Sequence, residues 1–177
     1  MTVNVRPATA EDASALAAVA AVTFPLACPP HTTDEAKAQF IATVLSEERF
    51  AGYLTDQARD LLIAESEDGT AIGYAMLVNG EPADPDVAGA IRVRPTIELS
   101  KCYVLPGHHG EGVAGLLMRA SIDAATAREA EGIWLGVNEE NARAQHFYGK
   151  HGFERVGSKR FLVGDRLEHD WVMERAL

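Results

Sequence analysis

The sequence is poor in cysteine, has no excess of positive charge and contains no long hydrophobic run. Cys28 and Cys102 are the only cysteines, too few for a disulfide framework. They form no paired Cys/His spacing of a zinc site, and no two of the six histidines stand four apart, so no metal is expected. Lys and Arg number 16 against 26 Asp and Glu, a net charge of −10. Sequence-independent binding to nucleic acid needs a basic face and is excluded. The longest apolar-rich stretch, residues 13–22, is alanine-dominated and short of a membrane span. The start, MTVNVRPATAED, lacks the apolar core of a signal peptide, so a soluble, cytoplasmic protein without membrane contact is expected. At 177 residues one domain, 1–177, is expected. An acidic field suits a cationic small molecule, and it equally keeps soluble proteins apart.

What is present alternates between two periods. Val3 and Val5 open a short strand that Pro7 stops. Thr9 and Asp12 resemble a capping box, opening a helix over residues 10–24 that the prolines of FPLACPP should break. Thr32 or Thr33 caps a second helix with the stripe Phe40, Ile41, Val44, Leu45. Residues 61–65 and 71–78 read as strands around Asp68-Gly69. Residues 79–95 read as a long polar loop. A strand at 98–104, a helix carrying Val113, Leu116, Leu117, Ala120 and Ala124, a strand at 133–137 and a helix at 141–151 follow. Residues 153–163 and 167–175 form a closing hairpin. The order mixes an antiparallel meander with parallel crossovers in one α/β domain.

The segment HHGEGVAG, residues 108–115, joins a strand to a helix. Glycines let a backbone approach oxygen atoms, and a helix start offers free N–H groups and a favourable dipole, so the turn suits a pyrophosphate. Gly110, Gly112 and Gly115 spell a dinucleotide fingerprint, with Glu139 placed for a ribose hydroxyl. Too little chain follows for a doubly wound sheet, and an antiparallel meander precedes it.

ELSKCYVLPGHHGEGVAGLLMRA resembles the acetyl-CoA-binding motif of the GNAT N-acetyltransferase superfamily. Val104 and Pro106 match its V-x-P, and Gly112 and Ala114 match its G-x-G/A. His109 stands where that motif prefers Gln or Arg. A second block, WLGVNEENARAQHFYGKHGFERVG, resembles the following strand and helix, with Asn141, Ala144, Phe147, Tyr148, Gly152 and Phe153 matching. The early VTFP and the C-terminal segment resemble the PaiA-type spermidine/spermine branch.

The resemblance implies a mixed sheet of six to seven strands, splayed at its central parallel pair and flanked by about four helices. It implies acetyl-CoA as cosubstrate, a small-molecule amine as partner and direct transfer in a ternary complex. A homodimer is compatible with it. Backbone near Cys102, Tyr103 and Val104 would hold the pantetheine arm. N–H groups of His109, Gly110, Glu111, Gly112, Val113, Ala114 and Gly115 would hold the pyrophosphate. Asn141 would bond the cofactor or cap its helix, and Lys150 would meet a phosphate or face solvent.

An amine with a pKa of ~10 must lose a proton before it attacks. Glu98, at the start of its strand and sharing parity with Cys102 and Val104 barring a bulge, is the candidate base, or else a solvated strand end. Tyr148 is the candidate acid for the leaving thiolate, or else a core aromatic. Cys102 lacks a partner base and reads as a small strand residue. The acceptor is expected between residues 24–33, the 79–95 loop with Glu81, Asp84 and Asp86, and residues 164–166. Two rival readings are a non-catalytic acyl-CoA sensor on the same fold and a small dinucleotide binder.

Overall fold

The computed structural model describes residues 2–110 and 112–177, with Phe161 described in its backbone only. Among the described residues seven strands form one sheet: β1 (Asn4–Pro7), β2 (Arg59–Glu65), β3 (Ala71–Asn79), β4 (Thr96–Val104), β5 (Gly132–Asn138), β6 (Glu154–Val163) and β7 (Arg166–Ala176). Their spatial order is β1-β2-β3-β4-β5-β7-β6, and only β4 and β5 run parallel. Six α-helices among the described residues cover it: α1 (Ala13–Ala27), α2 (Asp34–Val44), α3 (Glu47–Thr55), α4 (Pro85–Ala90), α5 (Val113–Ala127) and α6 (Ala142–Lys150).

Two apolar layers sandwich the sheet. On β2, Leu62 and Ala64 point toward α5, where Val113, Leu117 and Met118 are buried. Leu61 and Ile63 point the other way, toward Leu16 and Val19 of α1 and Phe50 of α3. This is the strand period of two meeting helical stripes on both faces. Burying these side chains contributes roughly 1.5–3 kcal/mol each.

Three features of the helices differ from expectation. The first helix runs through Pro25 to Ala27. Pro25 lies in the last turn, and the carbonyl it leaves unpaired belongs to exposed Ala21, where water can serve it. Together with a 3-10 turn at Ala10–Asp12, the helical stretch Ala10–Ala27 is long and apolar enough to cross a membrane by composition. Its buried face, with Leu16, Val19, Ala20 and Phe24, packs into the core. Helix α3 was not expected; Ser46 caps it by accepting from the Arg49 N–H at 3.2 Å. The 79–95 segment is not all loop: Asp84 caps α4 and Pro85 occupies its first turn.

The central parallel pair decides the shape of the site. β4 and β5 pair only at Thr96↔Gly132, Ile97↔Ile133 and Glu98↔Trp134, and then diverge. Across β4 on its other side, Met76 faces Lys101 and Leu77 faces Leu99, so Ser100 is a bulge. The extra residue flips the alternation. Leu99, Cys102 and Val104 join the α5 layer, while Tyr103 joins the α1 layer. The expected shared parity of Glu98 with Cys102 and Val104 therefore fails.

Candidate active site

The loop after β4 places a helix start at the open end of the cleft. Gly110 and Gly112 have φ of 88° and 77°, the left-handed region that glycine adopts without strain. Gly112 is the N-cap of α5 and supplies no side-chain cap, so its own side chain serves none of the first N–H groups of this 15-residue helix. A Cβ built at Gly110, Gly112 or Gly115 meets nothing within 4 Å, which shows open space along this cradle. The His109 ring turns back, its Nε2 bonded to the Val104 carbonyl at 3.0 Å, and so closes the loop onto its strand.

Two cavities meet where β4 and β5 part. The first, about 560 Å³, is lined by Cys102, Tyr103, Val104, His109, Gly110, Gly112, Val113, Ala114, Gly115, Asn141 and Lys150, among others. The structure thus brings every described residue expected at the cofactor onto one surface; Glu111 lies outside the described residues. Asn141 also caps α6, its Oδ1 accepting from the Ala144 N–H at 3.1 Å. The second cavity, about 490 Å³, lies on the α1–α2 side and holds Glu98. Both are lined by Ala27, Cys102, Tyr103, Asn141, Ala144 and Tyr148, so the two cavities meet at these residues.

Burial sets the protonation of this junction. It pushes the Cys102 thiol up to about 12, and no base accompanies it, so the thiol is no nucleophile at neutral pH. It also pushes Tyr103 up to about 12 and raises Tyr148 well above an ordinary phenol. Tyr148 packs edge-on against Phe147 and Phe153.

The second cavity is charged on both signs. Burial raises the Glu98 carboxyl, against the opposing pull of Lys159, Lys101 and Arg59. Burial lowers Lys101 to about 8, with Glu98 opposing. On β7, Glu168 and Asp170 face inward together. Burial raises Asp170, Lys159 lowers it from 3.8 Å away, and Asp170 Oδ1 receives no hydrogen bond from the described residues. His31, from the α1–α2 loop, lies 2.6 Å from Glu168 through Nε2 and 3.5 Å from Glu140 through Nδ1. These three could hold a metal ion by geometry, a cluster that spacing in the sequence did not reveal.

The expected acceptor walls are corrected in part. Phe24, Cys28 and Pro29 line the cavity, but the 79–95 segment and residues 164–166 do not. Val87 and Ile91 pack instead on Trp134 and Val172. Glu81 pairs with Arg94, and Asp84 caps α4, so these acids are engaged locally. Sequence reasoning missed Lys101, Lys159, Glu168 and Asp170. The alternation of Glu168 and Asp170 with buried Val172 was the available signal.

A glycine cradle at a helix start, a bulged strand and a splayed parallel pair with an amphoteric cavity behind them define an acyl-group transferase. The sequence profile of the Acetyltransferase (GNAT) family matches residues 25–153, and the chain belongs to that family. It is 48% identical over 166 residues to an uncharacterized N-acetyltransferase of Mycobacterium tuberculosis, covering 94% of this chain and 98% of that one. Its fold is similar to that of a PaiA N-acetyltransferase from Thermoplasma acidophilum in complex with coenzyme A. The TM-score there is 0.78, at 19% identity over 100% of both chains. It is also similar to a spermidine N-acetyltransferase chimera from Vibrio cholerae, with a TM-score of 0.68 at 19% identity over 99% and 96% of the two chains. The protein is an N-acetyltransferase of the GNAT family.

Proposed function

We propose that this enzyme moves the acetyl group of acetyl-CoA onto the primary amine of a small cationic, polyamine-like molecule by direct transfer in a ternary complex. The observation that carries the reading is the junction of two cavities at Cys102 and Tyr148, one with an anion cradle and one with buried carboxylates. The residues around the cradle fit coenzyme A: free N–H groups for the pyrophosphate, Cys102 to Val104 for the pantetheine arm, and Asn141 and Lys150 at the rim. Bound there, acetyl-CoA supplies an activated thioester. Glu98 takes the proton that the ammonium must shed, and its raised affinity for protons suits a base working near neutrality. Nitrogen then bonds to the acetyl carbon as the carbon–sulfur bond breaks; Tyr148 would give its proton to the departing thiolate and regain one from the nitrogen, which sheds its second proton as the amide forms. Glu98, Glu168 and Asp170 outnumber Lys101 and Lys159 in the acceptor wall, which favours a cation.

The test is thiol release by the purified protein from acetyl-CoA with a panel of amines. Turnover with diamines and polyamines is expected. Binding of acetyl-CoA with no turnover on any amine would instead mark a sensor, and a response to NADH with none to acetyl-CoA would mark a dinucleotide binder.

A further inference from the structure

Gly136 is a glycine in the middle of a central strand, and the reason lies in its neighbour. A Cβ added there would collide with Cε of Lys159 and stand 3.4 Å from Oδ2 of Asp170. Lys159 belongs to β6, the outer strand, and pairs with Asp170 on β7. Its stem crosses the sheet face and lies on the bare backbone of β5, in the cavity that also holds Glu98. A lysine on an outer strand ordinarily extends into water. This one is led inward over a strand that has no side chain in the way.

The geometry points to Lys159 as a positioning residue: its ammonium, passed over Gly136 into the acceptor cavity, holds the Glu98 carboxylate ionised where it meets the amine. This rests on the acceptor reading of that cavity. Several groups bear on Glu98 here. Lys159 comes from β6, Lys101 from β4 and Arg59 from β2, and of these cations Lys159 acts most strongly. Asp170 and Glu168 on β7 share the wall and compete for the same ammonium, as the 3.8 Å approach to Asp170 shows. Tyr103, Cys102 and Tyr148 stay neutral, as does Cys28, whose thiol burial also raises. A carboxylate withdrawn from water gains a proton unless a cation offsets the loss of solvation. Lys101 comes second to Lys159, and because burial lowers it to about 8 its charge is lost as pH rises through that value.

The experiment is a carboxyl-carbon NMR titration of Glu98 in the full-length chain, its signal assigned with Glu98→Gln. Lys159→Met should move the midpoint to higher pH. Gly136→Ala should move it in the same direction with the lysine still in the chain, because the new Cβ evicts the stem. Lys159→Arg should restore a midpoint near that of the parent. Should Lys159→Met aggregate once Asp170 loses its cation, Gly136→Ala decides alone. An unchanged midpoint in the folded variants overturns the assignment. In turnover, the acidic limb of the kcat/KM profile should shift upward with the midpoint, leaving about a tenth of parental activity on that limb. Uniform loss at every pH would instead mean packing alone, and would also overturn it. Failure of the parent to acetylate any amine would refute the proposed reaction, while the titration still decides the role of Lys159.

Discussion

Tyr148 enters the junction as a neutral phenol, held so chiefly by burial and further by Cys102 and Tyr103. It makes no hydrogen bond among the described residues, so its proton is free to go to a ligand. Tyr148→Phe keeps the edge-on packing with Phe147 and Phe153 and removes only the hydroxyl that carries that proton. The expected result is a roughly hundredfold fall in kcat, at the low end of what general acids contribute. Acetyl-CoA affinity by calorimetry should change less than about twofold, since no binding contact is lost. Unchanged turnover would remove Tyr148 as the acid. At this scale the legible residues are those whose role follows from their immediate neighbours, such as Gly112 at a helix start or Asn141 at a cap. Lys159 was illegible because its meaning depends on which strands lie beside which, and β5 inserts between β4 and β7 only in the folded sheet.

Among the elements, β1 is the shortest strand and sits at one edge of the sheet. Arg6 fastens it, bonding both oxygens of Asp12 at 2.8 and 3.0 Å and Glu65 at 2.6 Å. The guanidinium bond lowers Asp12 to about 2, helped by the Thr9 N–H. A carboxylate depressed on folding stabilises the protein above its unfolded pKa of ~3.9, and that stability is lost as pH falls toward 2. Solvent screens this fork, so its contribution is about 1 kcal/mol, a few degrees of melting temperature. The Tm difference between the parent and Arg6→Ala should be full above pH 4 and shrink toward pH 2. A constant difference across that window would show that packing, not the ion pair, is lost. Element existence was readable where period and turn signals agreed, as for α5 after its glycine turn and for the closing hairpin. It failed for α3 and α4, which are about two turns long and take their place from Phe50 and Val87 docking into cores built by distant strands.

For the whole molecule, a ligand that binds only the folded state raises its melting temperature by mass action. At a hundredfold excess over Kd the gain is about 2.7 kcal/mol, which for a chain of this size is roughly 5–10 °C. Acetyl-CoA should produce such an upshift if the cradle at α5 and the cleft between β4 and β5 act together. Gly112→Glu should abolish it, because a β-carbon and a negative charge would stand where the backbone N–H groups meet the pyrophosphate. That substitution also strains a left-handed residue, so lost binding and lost stability must be separated. Gly69 provides the control. It is left-handed too, with φ of 84°, but it turns the β2–β3 hairpin away from both cavities. Gly69→Glu should lower the basal melting temperature by a similar amount and leave the acetyl-CoA upshift intact. Loss of the upshift in both variants would mean that general destabilisation, not the cradle, governs the response. Retention in both would move the pyrophosphate away from α5.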